Sequence, residues 1–103
     1  MNEDVLYEKF IRAIDNKLLI KIAYFNKFGK LLTKICVPYD FGIMHSYRDL
    51  QNRYFFYNYK HIEKNTILHI KASNMYFIEL LEETFCPISL GINNKSFILL
   101  RNW

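Results

Sequence analysis

The stretch LLIKIAYFNKFGKLLTKICVP, residues 18–38, decides the fold because its apolar residues alternate at the period of a β-strand. Residues 26–30 interrupt this alternation, and Gly29 among them tolerates the positive φ that a tight turn needs. The apolar pattern resumes after the turn and runs to Pro38, which has no N–H to donate to a strand ladder. The stretch therefore predicts a β-hairpin whose second strand ends at Pro38.

The residues before the hairpin have the spacing of an amphipathic helix. Apolar side chains recur at intervals of three or four from Val5 to Ile14, and Asn2 is placed to cap the helix. The pattern predicts a helix over residues 3–16. Because the helix has a single apolar stripe, we expect it to pack against the rest of the fold.

Downstream of Pro38 the sequence predicts a long loop and further strands. Residues 39–52 lack a regular period and are rich in polar side chains, so they predict a structured loop of a length that is often functional. Residues 76–85 fit either a strand or a helix, and their opening Tyr-Phe-Ile favours a strand. The other predicted strands are residues 53–59, with aromatic side chains on both faces, residues 66–72 and residues 96–100.

The composition predicts one folded domain over residues 1–103. Its 51% hydrophobic and 17% aromatic content is too apolar for a disordered chain, and no apolar run approaches the length that crosses a membrane. Cys36 and Cys86 have apolar neighbours, which favours buried, reduced thiols and hence the cytoplasm. The net charge of +4 permits anionic partners without establishing one.

The order of these elements resembles a WYL domain over about residues 5–85. Arg53, Tyr54 and Phe55 stand where the family carries its name-giving Trp-Tyr-Leu, so only the tyrosine is retained. Asn74 and Met75 replace the family's Arg-Ile pair. The positions that follow the family pattern are Tyr24, Gly29, Lys34, Val37, Pro38, Ile78, Leu81 and Phe85.

The resemblance implies a mainly β fold of the α+β kind. An N-terminal helix over residues 3–16 is followed by a small, Sm-like five-stranded β-barrel over residues 18–85, and residues 86–103 add a C-terminal tail strand. WYL domains are usually regulatory modules that bind nucleic acid or nucleotide-like ligands. The resemblance therefore implies a binding module for single-stranded nucleic acid or a nucleotide.

Aromatic and basic residues in the middle of the chain are the candidates for ligand binding. On a small barrel, aromatic rings stack on bases and cations meet phosphates. Alternation puts Arg53 and Tyr57 on one face of the third strand and Tyr54 and Phe56 on the other. The predicted ligand-binding residues are Lys34, Tyr39, Tyr47, Arg48, Arg53, Tyr54 and Phe56.

Structural interpretations of the same residues remain open. Both faces of the third strand are buried in one interpretation, with the second face beneath the N-terminal helix. In another, ion pairs within the chain hold the loop together, and such pairs on a surface contribute less than about 1 kcal/mol each. The charged residues of that second interpretation are Asp40, Arg48, Asp49 and Arg53.

We expect no catalytic residues, no metal and no cofactor. His45, His61 and His69 belong to three different predicted elements, and neither a nucleophile motif nor a glycine-rich phosphate loop is present. The alternative function is protein interaction, as a homodimer or as a small inhibitor of a host defence or regulatory complex, through the same aromatic surface. The tail ending at Trp103 would then pair with another chain's sheet, or else close its own barrel.

Overall fold

The computed structural model of the protein describes residues 3–43, 49–59, 67–87, 98–99, 101 and 103. The described part is mainly β, with one N-terminal helix and a five-stranded antiparallel sheet in the order β4-β3-β2-β1-β5. The elements are α1 (Glu3–Asn16), β1 (Leu18–Phe25), β2 (Leu31–Ile43), β3 (Asn52–Asn58), β4 (Ile67–Lys71), a 3-10 turn (Ala72–Asn74) and β5 (Met75–Thr84).

Helix α1 confirms the predicted span of residues 3–16. Its buried side chains, Leu6, Phe10, Ala13 and Ile14, are three or four residues apart and therefore share one face of the helix. The helix ends where Lys17 adopts a left-handed φ of 53°. Its apolar face packs on the sheet and forms the main core with it.

Strands β1 and β2 form the predicted hairpin. They pair from Ile20 with Cys36 to Phe25 with Leu31. In the turn, the side-chain oxygen of Asn26 accepts hydrogen bonds from the backbone N–H groups of Phe28, at 2.9 Å, and of Lys30, at 3.0 Å. Gly29 has a φ of 77°, a conformation that glycine adopts at little cost.

The prediction that Pro38 ends the second strand is wrong. Strand β2 continues to Ile43 and pairs with β3 from Cys36 onward. Pro38 is tolerated because β2 pairs with β1 only as far as Cys36, so the missing N–H removes no hydrogen bond on that side. A register shift between Pro38 and Asp40 then marks a bulge. Residues 39–43 of the predicted loop are therefore strand.

Residues 75–84 form a strand, as favoured from the sequence. Strand β5 pairs with β1, and Ile78 lies opposite Ile22 with both side chains fully buried. The 3-10 turn joins β5 directly to β4, which is the opposite edge of the sheet. Between the described residues of β4 and β5 the ladder does not close, so the sheet is open and the expected barrel is not observed.

The C-terminal tail contacts both the sheet and α1. The backbone N–H groups of Ile98 and Leu99 donate to the carboxylate of Asp40, at 2.8 and 3.0 Å. The indole N–H of Trp103 donates to the carbonyl of Ile14 at 3.0 Å. Ile98 and Leu99 lie in a bend, and the rest of the predicted strand over residues 96–100 lies outside the described residues.

The cysteines differ in exposure. Cys36 is buried in the core, and this burial raises the pKa of its thiol to about 12. Cys86 is exposed, contrary to the expectation of two buried thiols, because it lies just after β5 between the buried side chains of Phe85 and Pro87. Within the described segments, no helix combines the length and the apolar character that crossing a membrane requires.

Candidate anion-binding cleft

Helix α1 covers two of the predicted stacking residues. Tyr54 is 2% exposed and Phe56 is fully buried. The ring of Phe10 packs edge-on against both, with centroid distances of 5.0 and 5.6 Å. Their face of β3 is therefore core, as in the interpretation that places it beneath the helix, and it presents no ring to a ligand. The physical reason is that α1 buries its apolar stripe on this face of the sheet.

Arg53, another predicted ligand residue, is held inside the fold. Its side chain is 4% exposed and makes two hydrogen bonds to the carboxylate of Asp49, at 3.0 and 2.7 Å. These hydrogen bonds, followed by one from the N–H of Gln51, hold the pKa of Asp49 well below its usual range. The expected ion pair within the chain is confirmed for Asp49 and Arg53, whereas Asp40 pairs with Arg101.

The other predicted residues lie apart from one another. Tyr39 lies in the bulge of β2, and its ring packs edge-on against Tyr57 at 4.8 Å. Burial, and then the neighbouring Tyr39 hydroxyl, raise the pKa of Tyr57. Lys34 is half-buried on β2 opposite Ile22. Tyr47 and Arg48 lie outside the described residues.

A cleft of about 560 Å³ opens between the tip of the hairpin and the strands β3 and β4. We call it the basic cleft. Its volume falls within the range of small-molecule sites. The residues that line it are Tyr24, Phe25, Asn26, Lys27, Arg53, His69, Ile70, Lys71 and Asn74.

Four of the polar side chains that line the basic cleft are basic. Lys27 comes from the hairpin turn, Arg53 from β3, and His69 and Lys71 from β4. Arg53 and Lys71 lie directly opposite each other in the β3–β4 register. Burial, and then the charge of Arg53, lower the pKa of His69. The His69 imidazole is therefore neutral near pH 7 and becomes protonated only at lower pH.

An acidic side chain lies at the edge of the basic cleft. The nearer carboxylate oxygen of Asp49 is 3.7 Å from the Lys71 ammonium and 2.7 Å from the Arg53 guanidinium. Asp49 does not itself line the basic cleft. The Asp49 carboxylate partly neutralises the positive charge of Arg53 and Lys71 on one wall of the basic cleft. Lys27 lies on the other wall, in the hairpin turn.

Exposed aromatic rings adjoin the basic cleft at the hairpin tip. Phe25 lines the basic cleft and packs edge-on against Tyr76, with a centroid distance of 5.9 Å. Phe28 is 82% exposed, and the ammonium of Lys27 lies 5.1 Å from its ring centroid. Rings and cations thus stand next to each other here, as single-stranded nucleic acid binding requires.

The donor set does not suggest a metal centre. In the described segments, no group of three or more His, Cys, Asp or Glu side chains is arranged to hold a metal ion. His69 is a wall of the basic cleft and packs edge-on against Phe55 at 5.5 Å. His45 and His61 lie outside the described residues.

Of the residues that line the basic cleft, Arg53 is the one that was predicted to bind a ligand. Lys27 falls in the predicted turn over residues 26–30, and His69 and Lys71 fall in the predicted strand over residues 66–72. These residues meet because β3 pairs with β4 and the hairpin tip reaches their strand ends. One sequence pattern does point to the basic cleft: lysine and asparagine are interspersed with aromatic residues in the turn segment YFNKFGK, residues 24–30.

Comparisons of the chain with models of known protein families, with curated proteins and with solved structures give no match.

Proposed function

We propose that this protein is a non-enzymatic module that binds single-stranded nucleic acid or a nucleotide, and that the basic cleft receives the phosphate. The observation that carries the proposal is the convergence of four basic side chains from three elements on one cleft: Lys27, Arg53, His69 and Lys71. These four residues are not consecutive in the sequence, so they do not form a simple run of charges. They become neighbours only when the chain folds.

The two lysines supply the mobile charges of the site. Lys27 is exposed on the turn, and Lys71 is half-exposed at the end of β4. An ammonium is a compact point charge that binds phosphate without a fixed geometry, which suits a ligand that enters an open cleft. The amide side chains of Asn26 and Asn74, which also line the basic cleft, add hydrogen-bond donors.

The aromatic rings supply a place for a base. Stacking of a base on an aromatic side chain is worth about 1–3 kcal/mol, which is comparable to several exposed charges. Phe25 lies in the lining, and Phe28 presents almost its whole ring beside Lys27. A nucleotide whose phosphate lies between Lys27 and Lys71 has these rings within its reach.

We also propose that the chain is a WYL-like domain whose sheet is an incompletely closed Sm-like barrel. The order of α1 and five strands supports this proposal, as does the short 3-10 turn that joins the two edge strands, β4 and β5. The buried thiol of Cys36 suits a reducing compartment, and we propose the cytoplasm.

Fluorescence anisotropy with short labelled DNA, RNA and a labelled nucleotide, at several salt concentrations, tests the proposed function. We expect salt-sensitive binding, because phosphate contacts release condensed counterions. Lys27→Ala and Lys71→Ala should each weaken binding and reduce the slope of log K against log salt by about 0.7 for a single strand. Lys30→Ala, which removes a lysine from the same hairpin but outside the lining, is the matched control.

Absence of salt-dependent binding to all three probes would refute the proposed function. Equal losses in Lys30→Ala and Lys27→Ala would instead show that overall charge, and not the basic cleft, attracts the ligand.

Exposed apolar side chains favour protein interaction as a second candidate function. Phe25 and Leu31 are paired at the turn end of the hairpin, and Ile35 lies further along β2. Together with Phe28 and Tyr76 they are large apolar residues exposed to solvent, a feature of partner-binding surfaces. Size-exclusion chromatography with light scattering tests the homodimer: a dimer that Phe28→Ser converts to a monomer supports it, and a monomeric parent protein excludes it.

A further inference from the structure

The carboxylate of Asp49 occupies cationic groups that a phosphate would use. It makes two hydrogen bonds to the guanidinium of Arg53 and lies 3.7 Å from the ammonium of Lys71. Arg53 and Lys71 both line the basic cleft, and they face each other across the β3–β4 pair. One carboxylate therefore bridges two cations of the proposed binding site.

The two hydrogen bonds between Arg53 and Asp49 have the same arrangement that a guanidinium uses to bind a phosphate. A guanidinium presents parallel N–H groups that match two oxygens of a carboxylate or two oxygens of a phosphate equally well. Asp49 uses both of its oxygens in this way, at 3.0 and 2.7 Å. It therefore stands in for the anion at Arg53.

The two partners differ in how firmly the fold holds them. The Arg53 side chain is 4% exposed and belongs to β3, whereas the Asp49 side chain is 31% exposed and precedes that strand. Leu50, its neighbour in the chain, is 75% exposed and so provides little packing against the core. When an anion competes for Arg53, Asp49 is therefore the partner that moves.

We propose that Asp49 is a built-in counter-ion of the basic cleft, which an incoming phosphate displaces from Lys71 and Arg53. This inference rests on the proposed function and adds a regulating residue to it. Asp49 keeps the cations of the ligand-free protein paired and lowers the affinity for every anion. A phosphate that also reaches Lys27 makes more contacts than the carboxylate and replaces it, whereas a small monoanion does not.

The test compares Asp49→Asn with the parent protein in anisotropy titrations of a short labelled oligouridylate. The asparagine keeps the shape and one acceptor oxygen for Arg53 but removes the charge. We expect Asp49→Asn to bind about fivefold more tightly, the size expected for removing one like charge at contact distance in water. Asp15→Asn, the same substitution at an exposed position of α1 outside the cleft lining, should leave the affinity unchanged.

The outcomes separate this inference from the proposed function. Binding by the parent protein with equal or weaker binding by Asp49→Asn overturns the counter-ion role and leaves the proposed function intact. If neither protein binds the oligouridylate, the counter-ion role is overturned, and the proposed function is overturned as well when the labelled DNA and the labelled nucleotide also fail to bind. An equal gain in Asp15→Asn would assign the effect to net charge and would also overturn the counter-ion role.

A measurement on the parent protein covers the case in which Asp49→Asn fails to fold. The carboxyl-carbon NMR resonance of Asp49 should shift when the oligouridylate saturates the protein, because its hydrogen bonds to Arg53 are replaced. The resonance of Asp15 should stay in place. A stationary Asp49 resonance in the saturated protein would show that the carboxylate is not displaced, and the inference would fail.

Discussion

The guanidinium of Arg101 and the carboxylate of Asp40 lie 3.3 Å apart although 61 residues separate them in the chain. Their side chains are 2% and 8% exposed. The same carboxylate accepts the backbone N–H groups of Ile98 and Leu99, so one acid holds both the backbone and a side chain of the tail. A buried carboxylate needs such partners, because an unpaired one is costly to bury.

The first prediction concerns this acid. Asp40→Ala should reduce the free energy of unfolding by about 3–5 kcal/mol, because it leaves the Arg101 charge buried without its carboxylate and removes the acceptor of the two tail N–H groups and of the Phe41 N–H. Urea denaturation followed by circular dichroism measures the loss. Asp15→Ala, at an exposed position of α1, should change stability by less than about 0.5 kcal/mol. Similar costs for the two substitutions would show that Asp40 does not anchor the tail.

The second prediction concerns the end of the tail. Trp103→Phe keeps an aromatic ring against Phe85 but deletes the N–H that donates to the carbonyl of Ile14. The expected loss is about 1 kcal/mol, the net contribution of an ordinary hydrogen bond. Thermal and urea unfolding of the two proteins measure it, with Trp103→Ala as the comparison that also removes the ring. If the two substitutions cost the same, the hydrogen bond and not the ring packing accounts for the stability.

Trp103 also provides an optical probe of the tail, because it is the one tryptophan in the sequence. Its indole packs against Phe85, and the Arg101 guanidinium lies 4.4 Å from its ring centroid. In Asp40→Ala the emission should shift to the red before global unfolding as the indole becomes hydrated. An unchanged emission spectrum would mean that the tail stays docked without Asp40.

The third prediction concerns the packing of α1. Phe10→Ala should cost about 3–5 kcal/mol, because the Phe10 side chain is fully buried and its ring contacts both Tyr54 and Phe56. Val5→Ala, at an exposed position of the same helix, is the control and should cost far less. Denaturant unfolding distinguishes them. A small cost for Phe10→Ala would mean that α1 is loosely attached, and the face of β3 would again be a candidate for ligand stacking.

The elements that were predicted correctly depend on local patterns. The span of α1 follows from apolar residues at helical spacing, and the turn at Gly29 follows from the residue types that tight turns need. The error at Pro38 has a non-local cause. Whether a missing N–H matters depends on whether β1 still pairs at that position, and the sequence of β2 does not contain that information.

The candidate site was harder to predict than the fold for the same reason. Arg53 was selected for its charge, but its role depends on Asp49, which fixes it as a wall of the basic cleft. Lys27 and Lys71 come from segments that are adjacent only after the sheet has formed. The order of the strands in the sheet, and not the residue type, therefore determines which cations line the same cleft.

The last prediction uses the pH dependence of His69. Burial and the charge of Arg53 lower the pKa of His69 in the ligand-free protein, so its imidazole is neutral near pH 7. A bound phosphate stabilises the protonated form and raises that pKa. By linkage, affinity should rise as pH falls through the pKa of the bound state, and should level off below the pKa of the ligand-free state. An oligonucleotide is the suitable probe, because its phosphodiesters do not titrate in this range.

Anisotropy titrations between about pH 8 and about pH 5 measure this change in affinity. The pH range covers the protonation of histidine. His69→Asn should flatten the profile, and its affinity should match that of the parent protein near pH 8, where His69 carries no charge. The difference between the two profiles isolates His69 from His45 and His61, which remain in both proteins. Parallel profiles would show that His69 does not face the bound phosphate, and would remove His69 from the proposed site.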